Sequence, residues 1–171
     1  MRFTLALASV AVLALAATAT AQPVLVAPVS YSPAFQASLA RDLGVREGAY
    51  LANDISRAVT RALARRGIAS SDNGVAIEIS IIDADPNRPT FQQLNRRPGL
   101  DIASVSTGGA ELHAVLRAAD GRTLSEVSFR KYDDALADLV GPPTTWTTAE
   151  RAINQFAEKV ADTYQAQSPA R

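Results

Sequence analysis

The sequence predicts an α+β domain: a two-layer sandwich with two helices packed on one face of a mostly antiparallel, four-stranded sheet, in the order β-α-β-β-β-α. Three observations carry this expectation. Segments 49–67 and 147–164 place apolar residues at helical spacing. Segments 75–83, 109–118 and 123–132 alternate apolar with polar residues. Between them stand glycine-bearing turn signals. Two apolar helix stripes and a sheet with one apolar face bury each other most simply as two layers.

In order, "VLVAPV" (24–29) reads as a short strand that Pro28 ends or confines to an edge. In 30–48, Ser32 and Pro33 suit a helix N-cap and its first turn and Gly44 a helix end, so 33–43 reads as a short helix or an ordered loop. Leu51, Ile55, Val59, Ala62 and Leu63 form the stripe of the first long helix, which Gly67 closes. After the turn residues 70–74, Val75, Ile77, Ile79 and Ile81 share one face of a half-buried strand. Ala110, Leu112, Ala114 and Leu116 repeat that pattern, Asp120-Gly121-Arg122 turns the chain, and Val127 and Phe129 mark the return strand. The last helix opens with Thr147 and Glu150 in capping-box spacing and carries Ala149, Ile153, Phe156, Val160 and Tyr164. Trp146 ahead of it reads as a core anchor.

The chain begins "MRFTLALASVAVLALAATATAQP": one positive residue, an apolar run shorter than a bilayer span, then Ala19-Thr20-Ala21. This is the order of an export signal over 1–21 with cleavage before Gln22, leaving 22–171 as a single domain with no membrane span. No cysteine follows for lipid attachment, and none exists anywhere in the chain. Disulfides, thiolate metal sites and thiol nucleophiles are therefore excluded. Without Arg2 the chain holds 16 basic residues against 17 acidic ones, which gives no general attraction to nucleic acid. The periplasm is the expected location.

Few motifs suggest chemistry. Asp83, Asp85 and Asn87 alternate like the opening of a calcium loop, but Arg88 stands where such a loop needs glycine and Leu94 where it needs glutamate. They read as a strand exit, and no metal or cofactor is expected. The long connection 88–109 is a stronger candidate. Arg88, Phe91, Arg96 and Arg97 mix guanidinium groups with an apolar side chain, a combination suited to a partner's carboxylate or phosphate. Arg57, Arg61, Arg65 and Arg66 form a basic stripe that reads as a solvated face. His113, the only histidine, would have to be the base of any Ser-His-Asp hydrolase, and the G-x-S-x-G turn is missing. Asp133, Asp134 and Asp138 lie close together and could share acid–base work only within a cleft. Gly108-Gly109 lacks the spacing of a phosphate loop.

The exported strand, the helix ending in "ARRG", the "GGAELHAVLRAADGRTL" hairpin and the closing "TAERAINQFAEKVAD" helix together resemble a broad group of small proteobacterial envelope proteins. Many of these are lipoproteins of unknown function. Their α/β fold is shared by accessory domains of outer-membrane secretion and transport systems. The resemblance implies a non-catalytic assembly or binding role, with an envelope protein or cell-wall component as partner and no catalytic residues to carry over. This sequence departs from the group in lacking the lipidated cysteine. The expected function is an exported accessory or binding module that contacts its partner through an exposed sheet edge or through 86–109. The competing expectation is a small hydrolase using His113 or the Asp133/Asp134 pair.

Overall fold

The apolar alternation of 75–83 is realised as the central strand of a single sheet. The computed structural model describes residues 22–139 and 141–167, so the expected leader over 1–21 lies outside the described residues. Strand β1 (Val24–Val26) and strand β2 (Ser30–Tyr31) lie end to end along one side of β3 (Val75–Asp85), both parallel to it. Pro28 stands in the gap between them. It has no amide hydrogen to give to a ladder, which accounts for the break in the predicted first strand. On its other side β3 pairs antiparallel with β4 (Gly109–Arg117), and β4 with β5 (Thr123–Tyr132). The sheet is thus mostly antiparallel with one parallel, interrupted edge.

Helices α2 (Val45–Arg65) and α4 (Thr147–Gln167) cover one face. Ile77, Ile79 and Ile81 of β3 lie beside Leu116, Ala114 and Leu112 of β4, and all are buried under Leu51, Ile55, Leu63, Ile153, Phe156 and Val160 of the helices. Filling such a layer at about 25 cal/mol per Å² of apolar surface is the main stabilising term for a chain without disulfides. The opposite face is polar. It carries the ion pairs Glu78–Arg117 at 2.9 Å and Glu111–Arg130 at 3.5 Å, with His113 Nε2 3.5 Å from Glu126.

Helix α2 starts four residues earlier than its apolar stripe suggests and ends as predicted. Gly67 adopts φ +71°, while the Ile68 amide donates to Leu63 O and the Gly67 amide to Ala64 O, closing the helix with a Schellman turn. The segment over 33–43 is helical, as α1 (Pro33–Ser38), capped by the Ser32 hydroxyl on the Phe35 amide. It runs into a single π-helical turn (Leu39–Leu43) in which the Gly44 amide reaches Leu39 O.

Helices α2 and α4 run parallel. Glu47 faces Trp146, Tyr50 faces Glu150, and Arg65 and Arg66 bond Glu158, with Arg66 also on Asp162. Two members of the basic stripe are therefore interhelical ties. Both helix N-termini lie at the end of the sheet where β3 and β5 finish and β4 begins. That end carries the three long connections and the candidate site.

Candidate functional site

A bulge in β3 shapes this end first. Ile81 pairs with Leu112, but the next pairing is Asp83 with Glu111, so Ile82 is an extra residue. Alternation shifts by one. Asp83 turns to the polar face, where it accepts from the Tyr132 hydroxyl at 3.0 Å, and Ala84 turns into the core. Partial desolvation and the charge of Asp83 hold the Asp85 carboxyl above its ordinary range. Burial and the nearby Asp83 charge raise the Tyr132 phenol.

The third member of the run, Asn87, goes elsewhere. It is wholly buried. Its side-chain amide donates to Ser106 O at 3.2 Å and Thr148 Oγ1 at 3.1 Å, and its carbonyl accepts from the Thr148 amide at 2.8 Å. Its backbone bonds Thr145 O and the Ser106 amide. Asn87 therefore ties 97–108 and 141–146 to the start of α4, satisfying one of that helix's free amides. The expected Thr147–Glu150 capping box does not form. Thr147 Oγ1 accepts from the Thr144 amide, Glu150 takes the Tyr50 hydroxyl, and the cap comes from a distant segment. The strand-exit reading of 83–87 stands, and among the described residues no cluster of three metal-ligating side chains exists.

The connection 88–109 is more ordered than a loop. It contains helix α3 (Phe91–Arg96), opened by a reciprocal capping box in which Thr90 Oγ1 accepts the Gln93 amide and Gln93 Oε1 accepts the Thr90 amide. The T-x-x-Q spacing of Thr90 and Gln93 was the legible signal for this missed element. Gln93 also donates to Asp42 at 2.8 Å, fixing α3 against the π-helical turn.

The four residues singled out from the sequence are all at this end, in differing states. Arg88 donates to Pro143 O at 2.6 Å and Ile102 O at 2.8 Å, clasping two connections. Arg96 donates to Arg41 O at 2.8 Å, and Arg97 pairs with Asp42 at 2.7 Å. Each guanidinium is partly spent within the chain. Phe91 is 78% exposed. Sequence reasoning missed Ile102, which is 79% exposed, and the exposed Val105 and Leu136. Among the described residues, only Leu25 of the exposed large apolar side chains lies away from this end.

An open cleft of about 250 Å³ lies between the two helix N-termini, lined by Glu47, Tyr50, Thr144, Thr145, Trp146 and Glu150. Trp146 Nε1 donates to Glu47 at 2.7 Å and the Tyr50 hydroxyl to Glu150 at 2.6 Å. The Glu150 bond, with some desolvation, pushes the Tyr50 phenol up to about 12. Each carboxylate sits in the first turn of its helix, where the dipole favours negative charge.

The residues of the hydrolase expectation are not gathered at this cleft. His113 lies on the polar sheet face between Ser80 and Ser128, and no hydrogen bond joins it to either hydroxyl. Asp133 is buried, accepting from the Thr148 hydroxyl and from Arg151 at 3.1 Å, while Asp134 is exposed.

No family model and no curated protein matches the chain. Among solved structures, a minor lipoprotein from Acinetobacter baumannii is similar at 10% identity over 84% of this chain and 91% of that one, with a TM-score of 0.35. A likeness at that level says nothing of what this chain does. No described helix is long and apolar enough to cross a membrane.

Proposed function

We propose that the protein is an exported, non-catalytic binding module of the cell envelope, and that it meets an envelope protein or cell-wall component through the end formed by α3, 97–108 and 133–146. The leader-like N-terminus supports export. One observation carries the choice of surface: at this end the usual distribution is inverted. All the buried polar side chains among the described residues, namely Asn87, Thr90, Gln93, Asp133 and Thr148, lie here. The apolar Phe91 and Ile102 point outward beside them. Buried polar groups fix irregular backbone, and apolar groups held in water gain only when something covers them.

The test pairs Phe91→Asp with Ile102→Asp in the full chain, with Leu25→Asp at the opposite end as control. Photo-crosslinking and capture from the native envelope should recover a partner with the wild type and the control but not with the double variant. Thermal melting confirms that all three remain folded. Equal recovery by the double variant would overturn the assignment, as would a function lost with His113→Ala, since that side chain lies on the other surface.

A further inference from the structure

We infer that the protein self-associates through its β5 edge, two copies pairing antiparallel about a two-fold axis at Ser128. Among the described residues, strand β5 ends the sheet, with β4 on one side and no strand on the other. The Asp133 amide bonds Gly108 O, so Asp133 belongs to a hydrogen-bonded pair with β4. In an antiparallel ladder such pairs alternate, and β4 and β5 keep one register from Gly109–Tyr132 to Leu116–Ser125. The backbone groups of Glu126, Ser128, Arg130 and Tyr132 therefore point away from β4. The Ser128 carbonyl shows this directly, since it accepts from Lys159 Nζ of α4 at 3.0 Å and not from a strand amide.

The charge pattern of this edge is self-complementary. With Ser128 opposite its own copy, Glu126 of each chain stands across from Arg130 of the other. Both side chains are well exposed, at 61% and 69%, and their ion pairs within the chain are long at 3.5 Å, while the Arg130 guanidinium also lies 4.5 Å over the Tyr132 ring. Directly opposed opposite charges stabilise a cross-strand pair and like charges oppose it. Other registers do worse. An axis at Glu126 sets Glu126 against itself and Arg122 against Arg130; an axis at Arg130 sets that arginine against itself and Glu126 against Asp134. Axes at Val127 or Phe129 leave Glu126 facing Ser128 or Tyr132 and form no ion pair. The pattern thus selects one occupant, a second copy, in one register. Lys159 is the counterweight. It caps the central carbonyl and would approach its own copy at the axis, a device that limits edge pairing.

Sedimentation velocity over a range of concentrations, on protein expressed from its whole sequence, tests this. The wild type should form a concentration-dependent dimer that Lys159→Ala tightens. Glu126→Arg or Arg130→Glu alone should weaken it tenfold or more. The doubly swapped chain should restore it, as should mixing the two single variants. A lone thiol at Ser128→Cys should give a covalent dimer with a short bismaleimide, whereas Glu78→Cys, on the same face but an inner strand, should not. The inference is overturned if wild type and Lys159→Ala are both monomeric throughout, if the reversals change nothing, if the double swap fails to rescue, or if Glu78→Cys crosslinks as readily.

Discussion

Replacing Asn87 with alanine should cost more stability than any single change in the exposed part of the connections. The side chain makes three hydrogen bonds inside the protein, to Ser106 O, to Thr148 Oγ1 and from the Thr148 amide. Thr148 Oγ1 keeps its bond to Asp133 in the variant, but the Thr148 amide and the Ser106 carbonyl each lose a side-chain partner in a buried setting. A buried donor or acceptor left unpaired costs about 1–3 kcal/mol, and deleting a helix cap costs about 0.5–2 kcal/mol. The cap and the orphaned amide are the same group, so these figures overlap and a loss of about 3 kcal/mol follows. For a domain of this size that corresponds to a fall in Tm of about 6–12 °C. Urea unfolding followed by the fluorescence of Trp146, the only tryptophan, measures the loss directly. Asn87→Asp sharpens the test: it keeps an acceptor for the Thr148 amide but removes both donors and brings a negative charge toward Asp133. It should also be destabilised at neutral pH. A loss below about 1 kcal/mol for alanine, or wild-type stability for aspartate, would refute the role given to this residue.

Three further outcomes are expected. Tyr50 keeps its proton to about pH 12 and Tyr132 is raised as well, so the ultraviolet titration of the four tyrosines should contain a late component that Tyr50→Phe reduces by one phenol, leaving that of Tyr132; because the folded pKa of Tyr50 is raised, the associated stability is complete below about pH 10 and is lost as pH rises through 12. Asp85→Asn should raise the melting temperature slightly at pH 7, since the folded protein disfavours that charge, and the advantage should vanish in acid, where the aspartate is itself neutral. Gly109→Ala would put a methyl group 2.4 Å from Lys131 O and 2.5 Å from the Tyr132 ring, so urea unfolding should show a loss of about 1–3 kcal/mol, the usual cost of overpacking.

Where the local pattern alone decides the structure, the sequence was informative. Strand β5 matches its predicted span because one apolar face and an Asp-Gly turn set its register. Helix α2 closes at Gly67 because a left-handed residue is needed there. Helix α3 was also written locally, in Thr90 and Gln93, yet 88–109 read only as a long connection. That Asp83, Asp85 and Asn87 leave the strand was legible, but their separate destinations were not, because the bulge at Ile82 and the strand exit send the first to the polar face and the last into the core. The cleft was invisible for another reason. Glu47 and Tyr50 lie one helical turn apart, as do Trp146 and Glu150, and only the parallel packing of α2 and α4 joins residues about a hundred positions apart. The carbonyl and carboxylate partners of Arg88, Arg96 and Arg97 are equally remote in sequence.

An exposed Phe or Ile by itself would carry no meaning, because more than half of an ordinary protein surface is apolar. At this end the conjunction matters. Irregular chain normally yields until its apolar side chains find cover, and here that route is closed. Arg88 clasps the carbonyls of Ile102 and Pro143, Asn87 holds Ser106, and the capping box with Gln93 and Asp42 fixes the helix that presents Phe91. If the proposed surface is the binding one, loosening the clasp with Arg88→Ala should reduce partner recovery in the capture experiment while Phe91 and Ile102 are both still present. A surface whose affinity came from the apolar groups alone, without their fixed placement, would not respond in that way.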